Sequence, residues 1–170
     1  MVLLRRSDIL SPASRIILSG CRFLDDVKIG LTPVSEVLIA PAILDLSSPH
    51  GALGFDKVNL WDNILHPGRL YLAHTEERIS LPKNVIGLLH TRSTYARFGL
   101  DCLRSSAFVS PGFGADRPMP LVLEITVTTV VQGLQRDALA SLILFGVGDD
   151  ISDCGPGRHS GRFPLSLLDS

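Results

Sequence analysis

Ten consecutive residues, Thr91-Arg92-Ser93-Thr94-Tyr95-Ala96-Arg97-Phe98-Gly99-Leu100, concentrate hydroxyl and guanidinium groups directly after an apolar run. The stretch reads as a short helix, with Thr91 or Ser93 as N-cap and Gly99 ending it in the left-handed conformation. Ser93 and Arg97 then stand four apart on one face. Hydroxyls, guanidinium groups and free backbone N–H groups gathered there suit an anion, phosphate above all. A surface turn with solvated arginines accounts for the same residues. The second candidate is Glu124, a lone carboxylate in a strand whose neighbours are aliphatic or threonine. Loss of solvation there would raise its pKa toward the range of a general base near neutrality. The alternative is a glutamate on a solvated face beside Thr126 and Thr128.

Other chemistry is poorly supported. His74-Thr75-Glu76 supplies an H-x-E pair, but a zinc deaminase also needs a closely spaced pair of thiolates. Cys21, Cys102 and Cys154 are isolated, so no zinc site is expected. Phosphate loops of the GxxxxGK[ST] or GxGxxG kind are absent, as is a GxSxG nucleophile elbow. Ser110-Pro111-Gly112-Phe113-Gly114 is a turn that could bring backbone close to a ligand. Arg158 and Arg162, in a glycine-rich tail, could fold over a polyphosphate.

The elements that must position these groups are mostly strands. Residues 7–19 suggest a short helix capped by Ser7 or Ser11, with Pro12 at its first position. Asp25 to Gly30 alternates like the start of a strand, and Val37 to Ala40 is a further apolar run. Residues 47–54 read as a loop. His66-Pro67-Gly68 predicts a type II turn. A strand from Arg69 to Thr75 follows, with Leu70, Leu72 and His74 on one face. A turn at Leu81 to Asn84 leads to a strand over Val85–His90, and another is expected over Ser105–Val109. Leu121 to Val131 alternates most clearly: Leu121, Leu123, Ile125 and Val127 face one way, Glu124 and its neighbours the other. Ala138 to Val147 is apolar enough for a strand buried on both faces, as between subunits. Short strands between Pro/Gly turns imply an all-β sandwich or barrel.

A chain of 170 residues makes one domain able to bury its own core. We read residues 1–150 as that domain and 151–170 as a flexible Gly/Arg-rich arm. A hydrophobic content of 45% excludes disorder and suits further burial in an oligomer. The net charge of −1 gives no global field toward nucleic acid or membrane. No apolar run is long enough to span a bilayer. Three cysteines without a pair argue for reduced thiols and a cytoplasmic setting.

Taken together the motifs are more specific. His66-Pro67-Gly68-Arg69-Leu70-Tyr71-Leu72-Ala73-His74-Thr75-Glu76-Glu77-Arg78-Ile79-Ser80-Leu81-Pro82 resembles the "PGEFVLAxTxExVxLP" segment of dCTP deaminases. Arg92 to Leu100 resembles their "RSSLARLGL", Ser110-Pro111-Gly112-Phe113 their "DPGF", and Leu121-Val122-Leu123-Glu124 their "ITLE". Ser7-Asp8-Ile9 and Asp26-Val27-Lys28-Ile29-Gly30 resemble, more loosely, "DRDI" and "DLRLG". Order and spacing hold best from His66 to Ile125.

The resemblance to the dCTP deaminase and trimeric dUTPase superfamily implies a distorted dUTPase-type β-barrel with short helices. It implies a homotrimer with sites between subunits, a deoxynucleoside triphosphate substrate, and Mg²⁺ held through the substrate phosphates. Deamination of dCTP to dUTP would then proceed without zinc. Glu124 would activate water toward C4 of cytosine, Ser93 would hold that water or the leaving amine, and Arg97 would orient the base. Arg92 and Thr94 would contact phosphates, residues from Ser106 through Val109 to Ser110 would read pyrimidine and sugar, and Phe113, Arg158 and Arg162 would complete the binding set. A dUTP pyrophosphatase, a bifunctional enzyme, or a non-catalytic trimer binding dCTP, dUTP or dTTP are the alternatives. This sequence departs from the family pattern at Ser110 (aspartate), Thr91 (glycine) and Phe108 (a large polar residue). It also departs in the longer link Gly114–Pro120, and in Arg158-His159-Ser160-Gly161-Arg162 where a "KYQGQ"-like clamp is usual.

Overall fold

The computed structural model describes residues 1–41, 55–104 and 107–148. Strands β1 (Val2–Leu3), β2 (Ile17–Ser19), β3 (Arg22–Phe23), β4 (Lys28–Leu31), β5 (Glu36–Ile39) and β6 (Asp56–Asn59) occupy the first part. Then come β7 (Tyr71–Ser80), β8 (Val85–Thr91), β9 (Leu100–Asp101), β10 (Phe108–Val109), β11 (Met119–Val127) and β12 (Ala140–Gly146). Among the described residues, two four-residue helices, α1 (Arg6–Ile9) and α2 (Ser93–Ala96), accompany the strands together with a 3₁₀ turn at Pro12–Ser14.

The strands form two six-stranded sheets. The first runs β10-β8-β12-β4-β3, with β1 also on β12; the second runs β6-β5-β7-β11-β9, with β2 also on β7. Among the described residues these open paths do not close into one ring, but the all-β class is the one expected. The sheets meet across a single core: Ile29, Leu31, Leu89, Leu142 and Leu144 come from the first, Tyr71, Ala73, Ile79, Leu121, Leu123 and Ile125 from the second. Each such aliphatic side chain, fully buried, contributes about 1.5–3 kcal/mol relative to exposure.

Alternation decides the faces. Along β11, Leu121, Leu123, Ile125 and Val127 are buried, while Val122, Glu124 and Thr126 lie half-buried on the other side. The turn at Pro67-Gly68 also forms as expected, with Gly68 at φ 78° and the Arg69 N–H donating to the His66 carbonyl. Along β12, Ala140, Leu142 and Leu144 enter the core, and Ile143 and Phe145 remain half-buried on the outer face.

Several boundaries differ from expectation. The helix expected over residues 7–19 breaks into α1, the 3₁₀ turn and β2, because Arg15 takes a left-handed conformation (φ 55°) and Ile17–Ser19 pairs with β7. Asp25 is not in a strand: its carboxylate accepts the N–H groups of Val27 and Lys28, closing a turn before β4. Strand β7 runs five residues beyond Thr75, since β2 and β11 both pair with its second half. β11 ends at Val127, and Val131 instead bridges Leu65. The loop expected over residues 47–54 and the arm over 151–170 lie outside the described residues.

Candidate active site

The Arg92–Gly99 stretch folds as the expected helical turn, α2, launched from the end of β8. Arg92 is its N-cap, and no side chain caps it; neither Thr91 nor Ser93 takes that role. Gly99 leaves the turn at φ 78°, as expected. Ser93, Thr94 and Arg97 are exposed.

Thr91 is committed elsewhere. Its hydroxyl donates to Asp101 Oδ1 at 2.8 Å and accepts the Cys102 N–H at 2.9 Å. The Cys102 carbonyl accepts the N–H of Glu124 at 3.0 Å. A short relay, Thr91 to Cys102 to Glu124, therefore ties the base of α2 to the middle of β11. Thr126 pairs with Asp101, so Glu124, two residues before Thr126, projects on the face of the sheet that carries Asp101. That carboxylate is the one holding Thr91. Glu124 also stands opposite Leu72, which is buried, and between Val122 and Thr126. Glycine at position 91 could supply none of this; the hydroxyl earns its place structurally.

A second cluster fixes Arg92. Its Nη1 donates to Asp137 Oδ2 at 2.6 Å and to the Ala138 carbonyl at 2.6 Å. Tyr95 Oη donates to the same Asp137 oxygen at 3.1 Å, and Arg22 Nη2 reaches Oδ1 at 2.9 Å. The Arg92 guanidinium lies over the Tyr95 ring, 5.6 Å from its centroid. Partial burial pushes the Asp137 carboxyl up, but hydrogen bonds from Arg92, the Ala138 N–H, Arg22 and Tyr95 outweigh it and hold the group down at about 2. Asp137, Tyr95 and Arg22 were not legible as site residues: Asp137 is 45 positions from Arg92 and belongs to no motif.

The remaining candidates are not brought together with this group. The Val109 side chain is buried in the core, so only its backbone could meet a ligand. β10 runs antiparallel to β8, placing Val109 beside Gly87 and carrying Ser110 toward the end of β8 away from α2. The Phe113 carbonyl accepts the Leu81 N–H, whereas Glu124 sits opposite Leu72. Nine residues of β7 separate those points, on the order of 25–30 Å of extended chain. Ser106, Arg158 and Arg162 lie outside the described residues. Two surface clefts of about 290 and 170 Å³ are lined by other residues. His74 and Glu76 line the larger one, where Glu76 pairs with Arg136 at 2.7 Å; His74 and Glu76 both stand on β7, an inner strand of its sheet.

Among the described residues no three of His, Cys, Asp and Glu gather as a metal-ligand set. Cys21 and Cys102 are free, and burial pushes both thiols up to about 12, which leaves them unreactive as nucleophiles. Cys154 lies outside the described residues. None of the described helices is long and apolar enough to cross a membrane.

Comparison with known proteins decides the family. The sequence model of the dCTP deaminase-like family matches residues 42–137, more than half of the chain. The chain belongs to the dCTP deaminase-like family. Within it, the chain is 38% identical over 99 residues to a dCTP deaminase of Histophilus somni, covering 52% of this chain and 50% of that one. It is 30% identical over 93 residues to a dUMP-forming dCTP deaminase of Methanospirillum hungatei, covering 52% and 48%. The chain thus spans about half the length of these curated relatives, or less. The fold is similar to the crystal structure of a dCTP deaminase from Agrobacterium tumefaciens, with a TM-score of 0.57 at 16% identity, covering 84% of this chain and 46% of that one. EIAV dUTPase is similar too, with a TM-score of 0.51 at 11% identity, covering 84% and 98%. The dCTP deaminase-like family and the dUTPase-like all-β fold expected from the motifs are therefore those of this chain.

Proposed function

We propose that this chain catalyses hydrolytic deamination of dCTP to dUTP and ammonia, with Glu124 as the proton-transferring group. The observation that supports the proposal is the Thr91–Cys102–Glu124 relay, which ties the backbone of a half-buried glutamate to the residue preceding the arginine-and-hydroxyl turn. C4 of cytosine is the carbon of an amidine. Its deamination needs a water that loses a proton as it attacks, and a proton delivered to the departing amino group. A single carboxylate can take the first proton and return it to nitrogen, so that water is consumed and ammonia leaves with no other reactant. Ser93 holds the water or the amine, and Arg97 orients the ring and offsets charge that develops in the tetrahedral intermediate. Arg92 and Thr94 meet the phosphates.

Mg²⁺ enters bound to the triphosphate and screens its charge. The proton work falls on Glu124 rather than on a zinc-bound hydroxide. The separation of Ser110 and Phe113 from Glu124 along β7 supports a site completed by a second copy of the chain, as in a homotrimer. Ser106, Arg158 and Arg162, at the family's substrate-contacting motif positions, complete the binding set. The cytoplasm, where dCTP is available, is the expected compartment.

Incubation with dCTP and Mg²⁺, followed by assays for ammonia and dUTP, tests the reading. Glu124→Gln should abolish turnover while dCTP still raises the melting temperature as in the parent chain. Equal loss of binding and turnover would give Glu124 a structural role. Because one relative is described as dUMP-forming, pyrophosphate should be measured in the same assay; its release would make the chain bifunctional.

A further inference from the structure

We propose that Asp137 is a positioning residue of this site, acting through Arg92 to set the direction in which α2 presents Ser93 and Arg97. The inference rests on the reading that α2 meets the substrate.

A four-residue helix cannot hold its own geometry, because nucleation costs more than so few hydrogen bonds return. α2 lacks a side-chain cap, so its orientation must come from outside. The Asp137 carboxylate supplies it at two points, Arg92 at the N-cap and Tyr95 one turn along. The same carboxylate is anchored by Arg22 of β3, and Ala138, next in sequence, gives its carbonyl to Arg92. α2 is thereby pinned to the start of β12 and to the edge of the first sheet. The Arg92 backbone N–H donates to the Leu139 carbonyl at 2.9 Å, which brings the turn against the same segment.

The charge count matters as much as the contacts. Two guanidinium groups surround one carboxylate, leaving one net positive charge. Among the described residues, Nε and Nη2 of Arg92 make no hydrogen bond. Arg92 is therefore held in direction by Asp137 without losing its capacity for an anion. A charge-assisted bond of this kind is strong and directional.

The test uses the full chain, with dCTP and Mg²⁺ as substrate. Asp137→Asn should lower kcat at least tenfold while KM for dCTP stays within about twofold, because Arg92 keeps its charge for the phosphates while α2 loses the orientation that presents Ser93 and Arg97. Asp137→Glu should recover a third or more of the lost kcat. In an Arg92→Gln background, Asp137→Asn should cost less than about twofold further, as expected when one residue acts through the other. Tyr95→Phe, which removes a single bond, should show the same split more weakly and guards against misfolding of the Asp137 variants. A kcat within twofold of the parent in Asp137→Asn, or the same loss in both backgrounds, would overturn the proposal. If the parent chain does not deaminate dCTP, the functional reading fails on its own. Hydrogen exchange at the Arg97 and Phe98 amides then decides: at least tenfold faster exchange in Asp137→Asn sustains the clamp, and unchanged exchange removes it.

Discussion

Asp137 and Glu77 are both acids packed beneath neighbouring elements, and their surroundings push them in opposite directions. Asp137 is held near 2, below its ordinary 3.8. Its carboxylate form therefore stabilises the fold above 3.8, and that contribution fades as pH falls through 2. The melting deficit of Asp137→Asn should be constant at neutral pH and vanish in strong acid. Glu77 is 4% exposed on the core face of β7 and accepts the Thr32 N–H at 2.8 Å. Burial raises its carboxyl above the ordinary 4.5, and the Thr32 bonds only partly oppose this. The charged form thus costs stability, which is greatest below 4.5 and declines as pH rises beyond it. Glu77→Gln keeps an oxygen for Thr32 and removes the charge. We expect it to raise the melting temperature at neutral pH, with no difference at pH 4. Thermal melts across pH check both signs.

Among the elements, the exit from α2 is the most constrained. Gly99 stands at φ 78°, and a Cβ there would collide with Thr128 Oγ1. The Gly99 carbonyl also accepts the Thr128 N–H at 2.8 Å, so the two cannot simply separate. Gly99→Ala should lower stability by about 2 kcal/mol from the conformation alone, or about 4–8 °C in melting temperature. Combining it with Thr128→Ala removes the collision and should recover part of that loss; a double variant no better than the single would place the strain elsewhere. A second device is the irregular pairing between Pro120 and Val122. The buried Thr75 hydroxyl donates to the Glu77 carbonyl and accepts the Leu121 N–H, which satisfies groups the shifted ladder would leave bare. This keeps Leu123 and Ile125 inward and Glu124 outward.

For the whole molecule the question is how the two ends of the site meet. Glu124 and α2 belong to one end of the sheets, Phe113 and Ser110 to the other. Outer-face Ile143 and Phe145 of β12 are half-buried apolar groups suited to contact between copies. A trimer of 18.4 kDa chains should give about 55 kDa by light scattering. Refolding an equal mixture of Glu124→Gln and Phe113→Asp chains, each inactive alone, should restore about a quarter of the sites if they combine neighbouring copies. No recovery would mean that each chain carries its own complete site.

How much of this could be read without coordinates follows from the range of each interaction. Alternation along Leu121–Val127 and the Pro67-Gly68 turn are local, so the sequence alone determined which way Glu124 points from β11 and that a strand follows the turn, although β7 begins at Tyr71 rather than Arg69. Motif order likewise determined the family, and with it the all-β fold. Asp137 beneath Arg92, Thr91 bridged to Cys102, and Glu77 against Thr32 join residues 45, 11 and 45 positions apart. Only the tertiary structure decided those, because each depends on which strands pair and in what register, and a slip of one residue would turn every side chain of a strand to its opposite face.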